Sequence, residues 1–396
     1  MVRGAYLLFT LLACGAARAQ EPGTAERPTV TVRQSPPADL VGADDLVLKA
    51  ACDKLRKSGG TLVLGPGRYV VRRSLILPAN LVLRGEPGAV LALPAPVLTA
   101  ESAAVGSKEL VVGGGHEFAG DVLVQILPPV GTQFFSDGVT EKLELQLVER
   151  VAGQRLFLHN GLAVDVPAGS RVGYPLKILQ THKDGLATIE NIAFEGGRIE
   201  SIPMPGHSQR CAIWASSPFG YGEELLGPPG RGVVVRHCRF SDWYGRGVAL
   251  YYQVEGLIEG CLFERISDEA IDLDHFVEHF RIVGNEVRDA KWGITLNDAS
   301  RSVVEYNHVQ GGEVGIRMFW WKEVLRKGVN EENLIRHNVV RGSHEAAIQL
   351  GIKCSRNVVE YNYYEGELTV AEPDNTIGVN TRLETRRASV PETPDR

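Results

Sequence analysis

Two consecutive stretches decide the fold: GLIEGCLFERISDEAIDLDHF (256–276) and HFRIVGNEVRDAKWGITLND (279–298). When the second is written beneath the first, apolar residues, small residues and thiol or amide side chains fall into shared columns, roughly 22 to 24 residues apart. The same pattern continues in segments 233–252, 302–321, 333–352 and 357–366. A fixed period of this length is the mark of a solenoid, in which each unit packs only against its neighbours.

The repeating units predict strands and not helices. Short runs such as Ala-Ile-Asp-Leu and Gly-Ile-Thr-Leu alternate with period two, and stacking would place each strand parallel to its counterpart, about 4.8 Å away. We therefore expect two inward aliphatic columns, and one structural ladder whose stacked amides bond each other and the turn backbone. The aliphatic columns are Val248, Ile271, Ile294, Ile316 and Ile348, and Leu250, Leu273, Leu296, Met318 and Leu350; the ladder is Cys238, Cys261, Asn285, Asn307, Asn338 and Asn362.

The N-terminal half predicts a cap, two entry coils and an insertion. Residues 44–57 have the pattern of an amphipathic helix with Leu46, Ala50 and Leu55 on its apolar face, which would cover the first coil. Residues 59–91 contain apolar strands on either side of a Pro-x-Gly-x-Tyr turn. Residues 101–175 break the period and have the pattern of antiparallel strands joined by glycine turns, typical of a small barrel that braces the solenoid or binds a glycan.

Together these features resemble the right-handed parallel β-helix proteins of the pectate lyase-like superfamily, over roughly residues 40–98 and 177–365. The resemblance implies an all-β fold, a right-handed parallel β-helix solenoid with an N-terminal capping helix and an inserted small antiparallel β-barrel-like subdomain. Because this fold carries lyases, epimerases, hydrolases and passive adhesins, it does not choose an activity. The expected organisation is a signal peptide (1–19), a cap with the first coils (39–98), the insertion (101–175), the main coils (177–366), and a C-terminal cap with a disordered tail (367–396).

The composition and the first twenty residues indicate an exported protein. A net charge of -6 without a basic excess argues against nucleic acid as the main partner. Arg3, a short apolar core and an Ala-Arg-Ala site at 17–19 predict a signal peptide, and therefore a secreted or periplasmic location. The sequence around Cys14 also resembles a bacterial lipobox, the motif in which a cysteine is lipidated, so Cys14 would carry a lipid anchor. No other apolar run is long enough to span a bilayer. Export would also permit a disulfide between Cys238 and Cys261, and the alternative is that both are buried free thiols.

The stretch DEAIDLDHF (268–276) predicts a functional site. Since Ile271 and Leu273 point inward, Asp272 and Asp274 should point outward, about 6.6 Å apart along the strand. The long segments 216–231 and 319–332 should leave the same edge and wall this face. The candidate catalytic residues are Asp272, Asp274, His275, Lys291 and Arg317, and the candidate substrate-binding residues are Tyr251, Tyr252, Glu269, Thr295, Asn297, Asp298, Trp320 and Trp321.

The leading hypothesis is abstraction of the C5 proton of a uronate in an acidic polysaccharide, by a lyase or an epimerase. Such a reaction needs a cation that neutralises the substrate carboxylate, and Arg317 or Lys291 could supply it. It also needs a proton acceptor and a proton donor, for which His275, Tyr251 and Lys291 are the candidates.

Asp272 and Asp274 leave further alternatives open. The pair could hold a calcium ion that bridges to substrate, because hard cations prefer oxygen ligands. It could instead serve an inverting glycoside hydrolase, whose carboxyl groups stand about 6.5–9.5 Å apart. Asp272-Leu273-Asp274-His275 resembles the Asp-Pro-His motif of mannuronan C5-epimerases, but it lacks the proline and its histidine comes one position later. A non-catalytic glycan-binding or adhesin-type β-helix is the third alternative.

Overall fold

The computed structural model describes residues 27–130, 144–175, 177–204, 210–218, 226–320 and 330–384. The described chain is a parallel β-helix with one helix at its N-terminal end and an inserted antiparallel sheet, which confirms the predicted fold class. The predicted signal peptide, Cys14 and Trp321 lie outside these residues. No helix in the described part of the chain has the length and apolarity needed to cross a membrane.

One parallel sheet contributes a single short strand to each coil. Neighbouring strands pair in register, so that Ile258, Ile282 and Val304 lie side by side. Thr29–Arg33 adds a strand ahead of residue 39, where the first coils were expected to begin. In the order in which they pair, the 12 strands among the described residues are Leu40–Val41, Thr29–Arg33, Gly60–Leu64, Leu81–Gly85, Ala187–Glu190, Val234–Arg236, Leu257–Glu259, Arg281–Val283, Val303–Glu305, Leu334–Arg336, Val358–Glu360 and Thr376–Ile377.

A second parallel sheet wraps around the remainder of each coil. It consists of three successive strand columns, and in two coils the long strands Leu262–Glu278 and Glu286–Ser300 bend through all three. Beyond residue 367, where the sequence predicted a cap and a tail, short strands still continue the coils up to residue 382. The other described strands of this sheet are Gly67–Val70, Leu75–Ile76, Ala89–Ala92, Leu179–Gln180, Ala193–Glu195, Cys211–Ser216, Gly230–Arg231, Arg239–Trp243, Arg246–Tyr251, Gln253–Val254, His308–Gln310, Val314–Phe319, Asn330–Glu331, Val339–Arg341, Ala346–Leu350, Cys354–Ser355, Tyr363–Tyr364, Leu368–Val370 and Thr381–Arg382.

The observed register confirms the predicted columns. Val248 pairs with Ile271, which pairs with Ile294, and the column continues through Ile316 to Ile348, with all five side chains buried. The neighbouring column from Leu250 to Leu350 is equally continuous. Because each inward residue contacts the equivalent residue of the next coil, the core is one apolar stack along the solenoid axis.

The predicted amide ladder is also confirmed. The Oδ1 atom of Asn307 accepts the backbone N–H of Asn285 at 2.9 Å, and its own amide donates to the carbonyl of Ile282 at 2.9 Å. The ladder continues one rung beyond the prediction, to Asn380. A second ladder, which the sequence alignment did not include, consists of Ser302, Asn333, Asn357 and Asn375.

The thiols of Cys238 and Cys261 are free, so the structure contains no disulfide between them. They lie at the start of the amide ladder and contact backbone carbonyls of the turns. Of the two alternatives that the sequence left open, the structure has two buried thiols.

The N-terminal helix, Asp45–Leu55, covers the open end of the apolar stack. The side chain of Asp44 caps it by accepting the backbone N–H of Leu46 at 3.1 Å. The predicted apolar face was wrong, because Leu46 and Ala50 are exposed. The buried positions are Asp45, Leu48, Ala51, Cys52 and Leu55.

The insertion is a small antiparallel barrel. Its sheet has six strands, and an isolated bridge between Thr99 and Val112 joins the first strand to the last. Arg210, from the β-helix, is buried against it and donates to the carbonyl of Tyr174 at 3.1 Å and to the side chain of Gln125. In pairing order the strands are Val97–Leu98, Arg171–Gly173, Val122–Leu127, Glu144–Ala152, Arg155–Leu158 and Glu109–Val111.

Candidate functional site

The candidate site lies on the outward face of the middle strand column of the large sheet. In register, Ala249, Asp272, Thr295 and Arg317 are stacked one coil apart. Beside them lies the stack of Ser216, Tyr251, Asp274, Asn297 and Phe319. Ser216 and Phe319 also begin the two long segments, which therefore leave the same edge of the sheet as predicted.

Four acids and two arginines form one group on this face, which we call the carboxylate–arginine cluster: Asp268, Glu269, Asp272, Asp274, Arg246 and Arg317. The Nη1 atom of Arg246 lies 3.0 Å from Oδ2 of Asp272 and 3.4 Å from Oδ2 of Asp274. Its Nε atom lies 3.0 Å from Oε2 of Glu269. The aspartates face away from the apolar core as expected, but they do not lie in an open groove, since Asp272 is 1% exposed and Asp274 is 5% exposed.

Arg317 completes the cluster from two coils away. Its Nη2 atom lies 2.7 Å from Oε1 of Glu269, and its Nε donates to the hydroxyl of Thr295 at 3.0 Å. The guanidinium carbon lies 3.5 Å from the ring centre of Trp292 and 4.2 Å from that of Phe319. Glu269 is therefore held between two guanidinium groups, one of which is stacked on aromatic rings.

Asp274 connects the cluster to Tyr251 and His275. The amide of Asn297 donates to Oδ1 of Asp274 at 2.6 Å, and Nδ1 of His275 lies 3.1 Å from the same oxygen. His275 has a positive φ of 47° and is buried. The Tyr251 hydroxyl contacts Nη1 of Arg246, and the Tyr251 ring stacks on Trp214 at 4.3 Å.

The acids of the cluster differ in their preference for a proton. Burial raises the pKa of Asp272 well above its usual range, because Arg246 only partly offsets the loss of solvation. Burial and the neighbouring Glu269 raise the pKa of Asp268 to about 8. Burial also acts on Glu269, but Arg246 and Arg317 outweigh it and lower its pKa. The site thus combines carboxyl groups that retain protons with one that stays ionised.

Two further titratable side chains of the site, His275 and Tyr251, are both uncharged, and only Tyr251 has a proton to donate from its oxygen. Burial lowers the pKa of His275 more than Asp274 raises it, so the neutral imidazole is favoured. Burial raises the pKa of Tyr251, and Asp274 adds to the effect, so the phenol keeps its proton. Opposed protonation preferences within one site are what general acid–base chemistry requires.

The expectation of a calcium ion between Asp272 and Asp274 does not fit the structure. In the described residues, no three His, Cys, Asp or Glu side chains are grouped as metal ligands. One oxygen of each aspartate approaches the same Nη1 atom of Arg246. The guanidinium occupies the position that a shared cation would take, so we assign no metal to this pair.

The structure does not bring every candidate into the cluster. The Nζ atom of Lys291 lies 3.9 Å from Glu313 and 4.3 Å from the Trp292 ring, at the rim. The Tyr252 hydroxyl donates to the carbonyl of Gly227 at 2.8 Å, and Asp298 is buried at the end of its strand. Trp320 is half-buried beneath the Nζ atom of Lys353, 3.6 Å from the ring centre, and Trp321 lies outside the described residues.

Sequence reasoning missed Arg246, which makes the most ionic contacts in the cluster. Its signal was present in the alignment, because Arg246 directly precedes Gly247 just as Glu269 precedes Ala270 in the next coil. The alignment also missed Trp214 and Trp292. Trp214 lies one coil before the first aligned segment, in the column of Ala249 and Asp272, and Trp292 is in register with Glu269.

Comparison with known proteins supports the fold. Residues 182–326, which include most of the cluster's coils, match the family model "Right handed beta helix region". A search of curated proteins finds no match.

Three solved structures illustrate the likeness. A glycoside hydrolase is 12% identical, with 89% of this chain and 96% of that chain covered and a TM-score of 0.48. The Azotobacter vinelandii mannuronan C-5 epimerase AlgE6 A-module is 12% identical, with 86% and 95% covered and a TM-score of 0.38. PfbA, a surface adhesin of Streptococcus pneumoniae, is 11% identical, with 85% and 86% covered and a TM-score of 0.37. A shared fold does not by itself assign an activity, so an assignment of function rests on the residues of the site itself.

Proposed function

We propose that this protein acts on an acidic polysaccharide by abstracting the C5 proton of a uronate, as a lyase or an epimerase. The observation that carries the proposal is the position of Arg246. It contacts the protonated Tyr251 phenol and the carboxyl groups of Glu269, Asp272 and Asp274, and Asp274 is next to the neutral His275 imidazole. A uronate carboxylate paired with this guanidinium would lose charge, which stabilises the carbanion that forms at C5.

The roles of the two proton-transfer groups follow from their contacts. Because Nδ1 of His275 faces Asp274, its Nε2 atom is the proton acceptor for C5–H. The Tyr251 hydroxyl is the proton donor. In a lyase, the electron pair released at C5 forms the C4–C5 double bond while the C4–O4 bond breaks and O4 takes the tyrosine proton. In an epimerase, Tyr251 returns a proton to the opposite face of C5.

Asp272 has a supporting role in this proposal. A carboxylic acid that keeps its proton in a buried site can donate a hydrogen bond to a substrate carboxylate. The raised pKa of Asp272 favours that form. Arg246 and Arg317 hold Glu269 ionised, so its charge offsets part of the charge of the two arginines before substrate binds.

The surroundings of the cluster favour an acidic polymer. Three lysine ammonium groups lie over tryptophan rings: Lys177 over Trp214 at 3.4 Å, Lys291 over Trp292 at 4.3 Å and Lys353 over Trp320 at 3.6 Å. The rings hold the ammonium groups beside the cluster, where they attract uronate carboxylates. Trp214 shares a column with Asp272, so this rim follows the stacking direction of the coils.

The cluster geometry disfavours the inverting hydrolase. The facing oxygens of Asp272 and Asp274 both approach one nitrogen of Arg246, at 3.0 Å and 3.4 Å, so they are closer together than the roughly 6.5–9.5 Å that inversion uses. The guanidinium also fills the space in which an inverting enzyme holds its water. The Asp pair therefore lacks the arrangement that this alternative requires.

The proposal is tested by incubating the protein with polymannuronate, polyguluronate and polygalacturonate. A lyase would produce the ultraviolet absorbance of an unsaturated uronate, and an epimerase would exchange the C5 proton with deuterium from solvent. His275→Gln and Tyr251→Phe should each lower turnover by about 100-fold or more. Tyr252→Phe is the matched control and should stay within a few-fold, because its hydroxyl donates to the Gly227 carbonyl, outside the cluster.

Two outcomes would overturn the proposal. New reducing ends without absorbance would identify a hydrolase. Binding of polyuronates with neither cleavage nor C5 exchange would identify a glycan-binding protein without this chemistry.

A further inference from the structure

A second concave surface lies on a different corner of the coils, at the turn between the 12-stranded sheet and the first strand column of the large sheet. We call it the corner groove. It contains two concave regions, with volumes of about 500 Å³ and 340 Å³. The first is lined by Gly85, Pro87, Gly88, Ala89, Asn191, Ile192, Ala193, His237 and Arg239, and the second by Tyr306, Asn307, His308, His337, Val339 and Arg341.

A ladder of stacked rings forms one wall of the corner groove. The Tyr306 and His337 ring centres are 5.0 Å apart with an interplanar angle of 5°, and those of His337 and Tyr361 are 5.4 Å apart with an angle of 9°. The three residues occupy the same turn position in successive coils, each with a φ between 54° and 57°. Tyr306 is 59% exposed and Tyr361 is 50% exposed, so this ladder adds nothing to the buried core.

The ring ladder stops at Gly284. This glycine occupies the same turn position one coil before Tyr306, with a φ of 63° and its N–H bonded to the carbonyl of Glu305. A Cβ added there would meet no atom within 4 Å. Gly260 holds the same position one coil earlier, and a Cβ added there would meet Nδ1 of His237 at 2.7 Å. The empty space above Gly284 therefore lies between the His237 ring and the Tyr306 ring. One face of the Tyr306 ring stacks on His337, and its other face points into this empty space above Gly284, which we call the open level.

The side chains that line the two concave regions are basic or neutral. The acids beside them, Glu264 and Glu286, are paired with arginines, and Glu286 lies in register with His308. Neither lining set contains an aspartate or a glutamate, although the protein carries a net charge of -6. The titratable groups that line it are two arginines, three histidines and one tyrosine, Tyr306. Arg239 also pairs with Glu264 at 2.7 Å, just outside the lining set, whereas Arg341 is exposed at the groove. Such a surface attracts anions.

We infer that the corner groove is a second polysaccharide-binding surface, which takes an anionic glycan with one sugar ring stacked on Tyr306 in the level above Gly284. The apolar face of the sugar would continue the ring ladder, and its acidic groups would pair with Arg341 and the groove histidines. The inference goes beyond the proposed activity, because this surface contains none of the cluster residues. Two surfaces on one rigid solenoid would bind a long polymer with higher avidity than either alone.

The experiment fills the open level and measures binding. Gly284→Tyr should fold, because tyrosine already has this φ at positions 306 and 361. The probes are a six-sugar oligomannuronate and an oligogalacturonate of the same length, and every variant also carries His275→Gln so that the probes are not turned over. Calorimetry should give two binding sites with Gly284 in place and one binding site in the Gly284→Tyr variant. Gly153→Tyr, at a φ of 57° with nothing within 4 Å in the inserted barrel, is the matched control and should keep both sites. Arg341→Gln should weaken the second site about tenfold and reduce its salt dependence.

The outcomes separate this inference from the proposed activity. Equal stoichiometry with and without Gly284→Tyr, or equal binding of a neutral malto-oligosaccharide of the same length, would overturn the corner-groove inference. Loss of the second site in Gly284→Tyr would support it even if the wild-type protein turned over no polyuronate. If Gly284→Tyr proved misfolded by circular dichroism, an unchanged second site in Arg341→Gln would overturn the inference.

Discussion

At the scale of single residues, the site depends on how buried charges are balanced. Four acids lie around two arginines, and Arg246 contacts three of those acids within 3.4 Å. Burying so many charges is costly unless each is paired or neutralised. The structure uses both routes, because Glu269 is paired with arginine while Asp268 and Asp272 favour their protonated forms.

Arg246→Gln should lower both stability and activity. It leaves buried carboxylates without their cation, which costs about 3–5 kcal/mol in comparable buried pairs, and it removes the group proposed to bind the substrate carboxylate. We expect a lower midpoint in chemical denaturation and at least about a 100-fold loss of turnover. Arg246→Lys is the comparison variant, because it keeps the charge and should recover stability more than activity. A Gln variant as stable as wild type would contradict this account of the cluster.

Asp268 should make stability depend on pH with a definite sign. Its pKa is raised to about 8 in the folded state, so its contribution is fully present below the unfolded pKa and is lost as pH rises through about 8. The wild-type protein should therefore have a lower free energy of unfolding at pH 9 than at pH 5, as measured by thermal unfolding. Asp268→Asn should reduce that difference by a few kcal/mol, at about 1.4 kcal/mol per pKa unit.

Asp242→Asn is the control for this pH effect. Hydrogen bonds from Arg265 lower the pKa of Asp242, so its stabilisation is present above the unfolded pKa and is lost only in acid. Its replacement should change stability about equally at pH 5 and pH 9. Identical pH slopes for wild type and Asp268→Asn would show that Asp268 does not titrate as described.

At the scale of elements, the turns are held by amide ladders. Asn307 accepts the backbone N–H and the side-chain amide of Asn285 and donates to the carbonyls of Ile282 and Glu305. Each rung satisfies backbone groups that are buried between coils and out of reach of water. The ladder therefore fixes the register of the turns, and the register in turn stacks the cluster residues one above another.

Asn307→Ala should cost about 2–4 kcal/mol of unfolding free energy, because it leaves several buried backbone groups without partners. Asn380→Ala is the matched control, since Asn380 is a half-buried terminal rung, and its loss should cost clearly less. Denaturant unfolding of both variants measures the difference. Equal losses of unfolding free energy in the two variants would indicate that a buried rung stabilises the coils no more than a terminal rung does.

At the scale of the whole molecule, the barrel and the β-helix are joined through buried polar contacts. Arg210 reaches from the β-helix to Tyr174 and Gln125 of the insertion, and the indole of Trp243 donates to the Arg210 carbonyl at 3.2 Å. Burial lowers the pKa of Arg210 to about 10, which still leaves it charged at neutral pH. These contacts agree with a bracing role for the insertion.

Arg210→Gln should separate the stability of the barrel from that of the β-helix. The shorter neutral side chain cannot reach both acceptors, so the insertion should unfold first, and thermal melting should show two transitions in place of one. Arg155→Gln removes an exposed ion pair with Glu109 inside the barrel and should change little. Limited proteolysis at intermediate temperature should cut within residues 101–175 only in the Arg210 variant, and a single transition there would contradict the bracing role.

Periodicity by itself determined the solenoid, the inward aliphatic columns, the amide ladder and the outward stack from Ala249 to Arg317. These features depend on local alternation and on a constant repeat length, both of which can be read from the printed chain. The helix face was predicted wrongly because Leu46 and Ala50 lie on the side of the helix opposite Leu55, and only the side of Leu55 packs against the coils.

Only the tertiary structure decided the chemistry of the site. Whether Asp272 is solvated or buried depends on what covers the face, and Arg246 and Arg317 reach it from different coils with long, flexible side chains. The direction of the His275 ring, whose Nδ1 atom lies 3.1 Å from Asp274, is likewise not specified by residue spacing. Repeat length fixes which residues are neighbours, whereas desolvation and side-chain direction fix their protonation, and these arise only when the whole face is assembled.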